Sequence, residues 1–165
     1  MGECADMRDF QKLSKSMEDY LEVMYHLKTD KGIIKVIDIA KELDVKPPSV
    51  FEVVKRLSKM NLASHEKYGE IMLSEEGIKI ANDIIYKHIT LKNFLNILNV
   101  DSVTAEKEAC AMEHILSNST INKLKRFTEF IGMHKDEGHF TKSFGYYQKH
   151  NKLPNKLRCK HFFSD

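Results

Sequence analysis

The stretch that most constrains this chain is 36-VIDIAKELDVKPPSVFEVVKRLSKMNLASHEKYGEIML-73, because two prolines interrupt it at one place. Residues 36–43 have the spacing of a short helix. Proline cannot continue a helix but is accepted in a first turn, so DVKPPS ends one helix and opens another. The second is expected from Pro48 or Ser49 to about Met60, with Val50, Val53, Val54 and Leu57 on its buried face. The period then changes. In 62–73 two short extended runs flank KYGE, which predicts a hairpin with its turn near Gly69. Two helices, a sharp turn and a hairpin make a winged helix-turn-helix. In that unit the second helix enters the major groove and the wing touches the DNA backbone. A small α+β packing module with no DNA role has the same element order and stays open on topology alone.

Side chains on the outer face of the second helix favour DNA. Ser49 is placed to hold a phosphate at the helix N-terminus, where free N–H groups attract anions. Lys55, Arg56 and Lys59 are phosphate-neutralising candidates, and Glu52 is either an acceptor for a cytosine amino group or simply solvated. Lys46, Pro48 and Lys67 complete the expected DNA face. Across 46–67 five Lys/Arg stand against two acids, a local excess within a chain whose net charge is only +2. That balance neither demands nor excludes nucleic acid.

The flanking sequence is helical. Residues 16–28 open with Ser16 and an acid three residues on, a capping-box pattern, and the segment TDKG follows as a turn. Ser74 is placed to cap a long helix over about 75–98. A break at NVDS leads to a helix over about 103–117, and Asn118 and Ser119 start another that ends near Gly132. Residues 133–165 are polar, basic and rich in histidine (His134, His139, His150, His161), with at most one short helix expected. Cys159 and His161 match no zinc-module spacing. No apolar run approaches the roughly 18–20 residues of a membrane span. The N-terminus lacks a secretory core, and three scattered cysteines form no disulfide framework. The expectation is a cytoplasmic protein with no membrane association.

One further helix carries chemistry. In 108-EACAMEH-114, Cys110, Glu113 and His114 fall at i, i+3 and i+4, on one side of a helix. Three ligands do not complete a coordination shell. Asp19 and Glu22, again i and i+3, and His88 on the long helix are further donors. Each also has an ordinary reading, as a cap partner, a surface acid or a packed histidine.

The order SMEDYLE, IAKELDVKPPSV, YKHITLKNFL, EACAMEHIL over about 14–131 resembles the metal-dependent regulators of the diphtheria toxin repressor and manganese transport regulator family. The resemblance implies a mainly α fold, with an N-terminal winged helix-turn-helix (1–82), a helical metal-binding and dimerisation domain (83–132) and a tail (133–165). It implies a homodimer that binds a double-stranded, palindromic operator in response to divalent metal, usually repressing metal uptake, and no enzyme. Asp19 and Glu22 match the two first-helix carboxylates of the manganese-type members, and His88, Glu113 and His114 match residues common to both branches. Cys110 matches the iron-type thiol, where manganese-type members carry a carboxylate. Two departures stand out. Lys92 and Glu106 occupy positions at which iron-type members carry second-site ligands, which implies that this second site is absent or rebuilt. Carboxylates and imidazole suit Mn(II) and Fe(II), while a thiolate favours Fe(II), Co(II), Ni(II) or Zn(II), so Fe(II) is preferred over Mn(II). A winged-helix regulator that senses no metal is the alternative. A metalloenzyme is disfavoured, because six donors leave no open position of the kind catalytic metals keep.

Overall fold

The computed structural model of the chain describes residues 13–65, 70–133 and 137–154, with backbone only at 137–139. The hairpin turn with Lys67, together with Cys4, Cys159, His134, His161 and the His139 side chain, lies outside the described residues. Contacts divide the chain into two compact units that meet in sequence at Ile85 and Tyr86.

In the first unit, α1 (Lys15–Lys31) is longer than expected at both ends. Its cap is Ser14, whose side chain and carbonyl both accept from the Met17 amide. Ser16 lies inside the first turn, so the expected capping box of Ser16 with Asp19 does not form. Thr29, Asp30 and Lys31 continue the helix, and Gly32 alone turns the chain, at φ 73°. Glycine meets no steric penalty in that left-handed conformation. Strand β1 (Ile34–Lys35) was not expected, since two residues show no alternation. It pairs antiparallel with β3 (Glu70–Leu73), which also pairs with β2 (Ala63–His65), giving the order β1-β3-β2.

Helices α2 (Val36–Glu42) and α3 (Pro47–Lys59) flank the double proline. Val50, Val54 and Leu57 form the buried stripe of α3, in one core with Leu21, Met24, Ile39 and Ile71. Helix α4 (Glu75–Ile97) begins beside this core. Its cap is Ser74 as expected, whose hydroxyl accepts from the Gly77 amide at 3.0 Å and donates to the Leu62 carbonyl at 3.1 Å. Gly77 lies so close to that carbonyl that an added Cβ would overlap its oxygen.

Three helices stop in the same way. Asp44, Asn61 and Asn99 adopt left-handed φ of 50°, 57° and 59°. The next residue in each case donates its N–H to a carbonyl five residues back: Val45 to Ala40, Leu62 to Leu57, Val100 to Leu95. This is the helix-ending hydrogen bond usually supplied through glycine. Asp and Asn substitute because their short polar side chains tolerate that region.

The second unit contains the end of α4, then α5 (Ser102–Glu113), α6 (Asn118–Met133) and α7 (Glu137–His150). Leu91, Leu95, Ala105, Ala109 and Ile121 form its core. Helix α5 stops at Glu113, short of the expected 117, and His114 is its C-terminal cap. Where at most one short helix was expected in the tail, α7 runs for 14 residues. It is fixed to the end of α4: the Asn99 side chain donates to the Thr141 carbonyl and Gln148 donates to the Leu98 carbonyl. Among the described residues no helix is long and apolar enough to cross a membrane.

Candidate metal centre

Asp101 starts α5 by accepting from the Thr104 amide at 3.0 Å. The buried stripe of the helix is Ala105, Ala109 and Glu113, four residues apart. Two alanines let neighbouring helices approach closely. The third position carries a carboxylate that is only 2% exposed. An ionised carboxylate buried to that extent is costly unless it is paired or coordinated. Its Oε2 lies 2.8 Å from His88 Nδ1, and its Oε1 lies 3.3 Å from His114 Nε2. Oε1 accepts no hydrogen bond of ordinary geometry among the described residues.

Around this oxygen the structure gathers a donor set. Cys110, Glu113 and His114 each present one ligand atom, all within 4.8 Å of one another. Bonds of about 2.0–2.3 Å put two donors on one ion at most about 4.6 Å apart. The spread of the three atoms is close to that upper bound, which makes them a candidate ligand group. A thiol, a carboxylate and an imidazole with a spare buried oxygen fit a divalent metal.

His88 of α4 joins the group, largely buried, with a carboxylate at each ring nitrogen. Nδ1 faces Glu113 and Nε2 lies 3.0 Å from Glu106 Oε1. The hydrogen bond to Glu113 is the largest influence holding His88 above the usual imidazole range. Burial opposes it, and the charges of Glu113 and Glu106 add to it. Glu106 also pairs with Lys92, one helical turn beyond His88. That hydrogen bond from Lys92 is the main reason Glu106 sits below the usual carboxylate range. The two departures seen in the sequence, Lys92 and Glu106, are thus partners of each other and neighbours of His88. Their spacing carried the signal, since Glu106 precedes Cys110 by one turn as Lys92 follows His88.

Asp19 and Glu22 lie in the first unit on α1, half-buried and one turn apart. Glu22 Oε1 is 3.8 Å from His26 Nε2. Of the expected DNA face, Lys46, Pro48, Ser49, Glu52, Lys55, Arg56 and Lys59 are all exposed, opposite the Val50–Val54–Leu57 stripe. One part of the expectation needs revision. Residues 47 and 48 are prolines without N–H groups, and the Ser49 amide already donates to the Lys46 carbonyl at 2.9 Å. This helix start offers no cluster of free amides, so a phosphate contact from Ser49 rests on its hydroxyl. Phe51, absent from the expected face, is 48% exposed on the same helix. Its ring packs edge-on against His65 of β2 at 5.5 Å.

A winged helix-turn-helix unit followed by a helical unit with a candidate donor set around the buried Glu113 fits a metal-dependent regulator, and comparison with known proteins agrees. Residues 12–71 match the iron dependent repressor N-terminal DNA binding domain, and residues 74–139 match the metal binding and dimerisation domain of the same repressors. The chain belongs to the diphtheria toxin repressor and manganese transport regulator family of metal-dependent transcriptional repressors. It is 41% identical over 119 residues to an uncharacterized HTH-type transcriptional regulator of Methanocaldococcus jannaschii, covering 71% of this chain and 95% of that one. It is 36% identical over 116 residues to the HTH-type transcriptional regulator MntR of Bacillus subtilis, covering 70% and 82%. Among solved structures, the manganese regulator SloR superposes with a TM-score of 0.62 at 30% identity, covering 69% of this chain and 54% of SloR. This chain therefore spans about half the length of that structure.

Proposed function

We propose that the protein is a metal-responsive repressor in which His88, Cys110, Glu113 and His114 hold a divalent metal, with Asp19 and Glu22 as further donors. In this reading the loaded homodimer binds a palindromic operator in the cytoplasm, controlling genes of metal uptake. The observation that carries it is Glu113, a carboxylate on the core-facing stripe of α5 with one oxygen lacking a hydrogen bond among the described residues. A regulator that senses no metal has no use for that arrangement. A bound cation supplies the positive charge that offsets the buried carboxylate and a Cys110 thiolate. In the metal-free chain Glu113 holds His88 Nδ1 on one side and faces His114 on the other; a metal held by both residues would take the place of the proton between Nδ1 and Glu113.

Lys46, Lys55, Arg56, Lys59 and Lys67 supply phosphate neutralisation in this reading. Pro48, Ser49 and Glu52 line the face that meets the groove. Self-association has candidate surfaces in the second unit, where Tyr86 and Ile89 of α4 and Phe127, Phe130 and Met133 of α6 are exposed. Large apolar side chains left exposed are what a subunit interface would cover.

The donor chemistry favours Fe(II) over Mn(II), because Cys110 puts a thiolate where a harder oxygen donor would suit manganese. The likeness to the manganese regulator SloR argues the other way. Zn(II), Co(II) and Ni(II) are expected to substitute in vitro. The test is the affinity for an operator, selected from random DNA by the loaded protein, titrated anaerobically with Fe(II), Mn(II) and Zn(II) in turn. Metal should tighten binding by roughly 5–150-fold, the usual range of effector coupling, and His114→Ala and Glu22→Ala should abolish that gain. If both variants kept the full response, the assigned site would be wrong. A response to Mn(II) alone would overturn the preference for iron.

A further inference from the structure

The imidazole of His88 is gripped at both nitrogens, and the two grips differ. Nδ1 points inward, to Glu113 Oε2 at 2.8 Å, and the Glu113 side chain is 1% exposed. The other oxygen of that carboxylate is the one beside His114. Nε2 points outward, to Glu106 Oε1 at 3.0 Å, and the Glu106 side chain is 54% exposed. The second oxygen of Glu106 is taken by the Lys92 ammonium. One carboxylate thus receives two donors from successive turns of α4.

We propose that Glu106, held by Lys92, is a positioning residue for His88, fixing Nε2–H outward so that Nδ1 is the nitrogen offered to the metal. The proposal rests on the metal-site reading above and adds to it two residues outside the donor set. A neutral imidazole has one nitrogen lone pair to offer a metal and keeps its proton on the other nitrogen. Metal-bound histidines almost always donate the other N–H to a carboxylate, carbonyl or water, which sets ring orientation and ligand basicity. Here the inner nitrogen lies against Glu113, a member of the Cys110, Glu113 and His114 group, and the outer one already has its carboxylate. Glu106 is itself a poor ligand in this position, since it lies on the solvent side and Lys92 occupies one of its oxygens.

The test uses the full chain with Zn(II) as a diamagnetic probe. Long-range proton–nitrogen correlation of the His88 ring should show Nδ1 shifted by the metal and Nε2 protonated. Competition with a chelator should show Glu106→Ala binding zinc about 10–100-fold more weakly, the usual loss for such a partner. Glu106→Gln should recover most of that loss, because its amide oxygen still accepts from Nε2–H. Lys92→Met, which leaves Glu106 present but unheld, should weaken zinc binding in the same direction by less. A wild-type chain that binds no zinc would sink the metal-site reading and this proposal with it. Zinc bound through Nε2, an unchanged Glu106→Ala, or a Gln variant as weak as the Ala variant would overturn the positioning role alone.

Discussion

Replacing Glu113 by glutamine separates what this residue does for stability from what it does for metal. The two side chains have the same shape, so no cavity opens at this buried position. The amide oxygen can still accept from His88 Nδ1, as the carboxylate oxygen does at 2.8 Å. Removing one member of a buried ion pair commonly costs about 3–5 kcal/mol, because it strands the other charge. His88 is not stranded here, since Glu106 remains on Nε2 at 3.0 Å. The metal-free stability should therefore change by no more than about 1 kcal/mol, or about 2–4 °C in Tm for a chain of this size. Metal response behaves differently. At a free metal concentration of 100 Kd, binding stabilises the wild type by about 2.7 kcal/mol, an upward shift of roughly 5–11 °C. If losing a charged ligand weakens binding by about 100-fold, as even outer partners can, the same metal gives the variant only about 0.4 kcal/mol, or roughly 1–2 °C. The assay is thermal unfolding followed by circular dichroism, with and without Zn(II), on both proteins side by side. Equal metal shifts would refute the reasoning, as would a metal-free variant that unfolds many degrees below the wild type.

Two other perturbations have diagnostic signs. Helix propensity alone would make Gly77→Ala stabilising by about 1 kcal/mol. The overlap with the Leu62 carbonyl should reverse this into a loss of about 1–3 kcal/mol, so a Tm that is unchanged or raised would contradict the close packing. Asp101 sits below the usual carboxylate range, first because of its hydrogen bonds with Thr104. A group whose pKa is depressed on folding contributes stability above its unfolded value and loses it as pH falls through the folded one. The Tm gap between wild type and Asp101→Ala should therefore be present at pH 6 and close as pH drops below about 4; a gap that persists at pH 2 would show that the carboxylate charge plays no part.

Much of the first unit was readable because its signals are local. The double proline at 47–48 and the period change after Leu62 need no knowledge of distant residues. Where elements stop was harder to read, and the reason is physical. Gly32 aside, among the described residues four helices end at an Asp or Asn in the left-handed region, Asp44, Asn61, Asn99 and Asn151, residues usually associated with loops and N-terminal caps. Yet the tripeptides LDV, MNL and LNV at 43–45, 60–62 and 98–100 share one pattern. An apolar residue is followed by Asp or Asn in the left-handed region, and then by an apolar residue that donates five positions back. That pattern was visible in the sequence, and its meaning lay in a backbone conformation. The capping box at Ser16 failed for a related reason, since Ser14 has the same chemistry two residues earlier and spacing alone cannot choose between them.

The metal donors divide along a similar line. The spacing of Cys110, Glu113 and His114 shows that they share a side of α5, which many surface helices could match. What sets this helix apart is the register of Glu113 against Ala105 and Ala109. Two small apolar residues define the stripe that enters the core, and the next place on that stripe holds an acid. A solvated acid would fall off the stripe. An acid on it must be paired, protonated or coordinated, because burial penalises a bare charge by several kcal/mol. The pairing with His88 accounts for one oxygen and leaves the other without a hydrogen bond among the described residues, which is why Glu113, more than the Cys110 thiol, argues for a cation. Cys110 then bears on a narrower matter, the softness of the site and hence which cation it prefers.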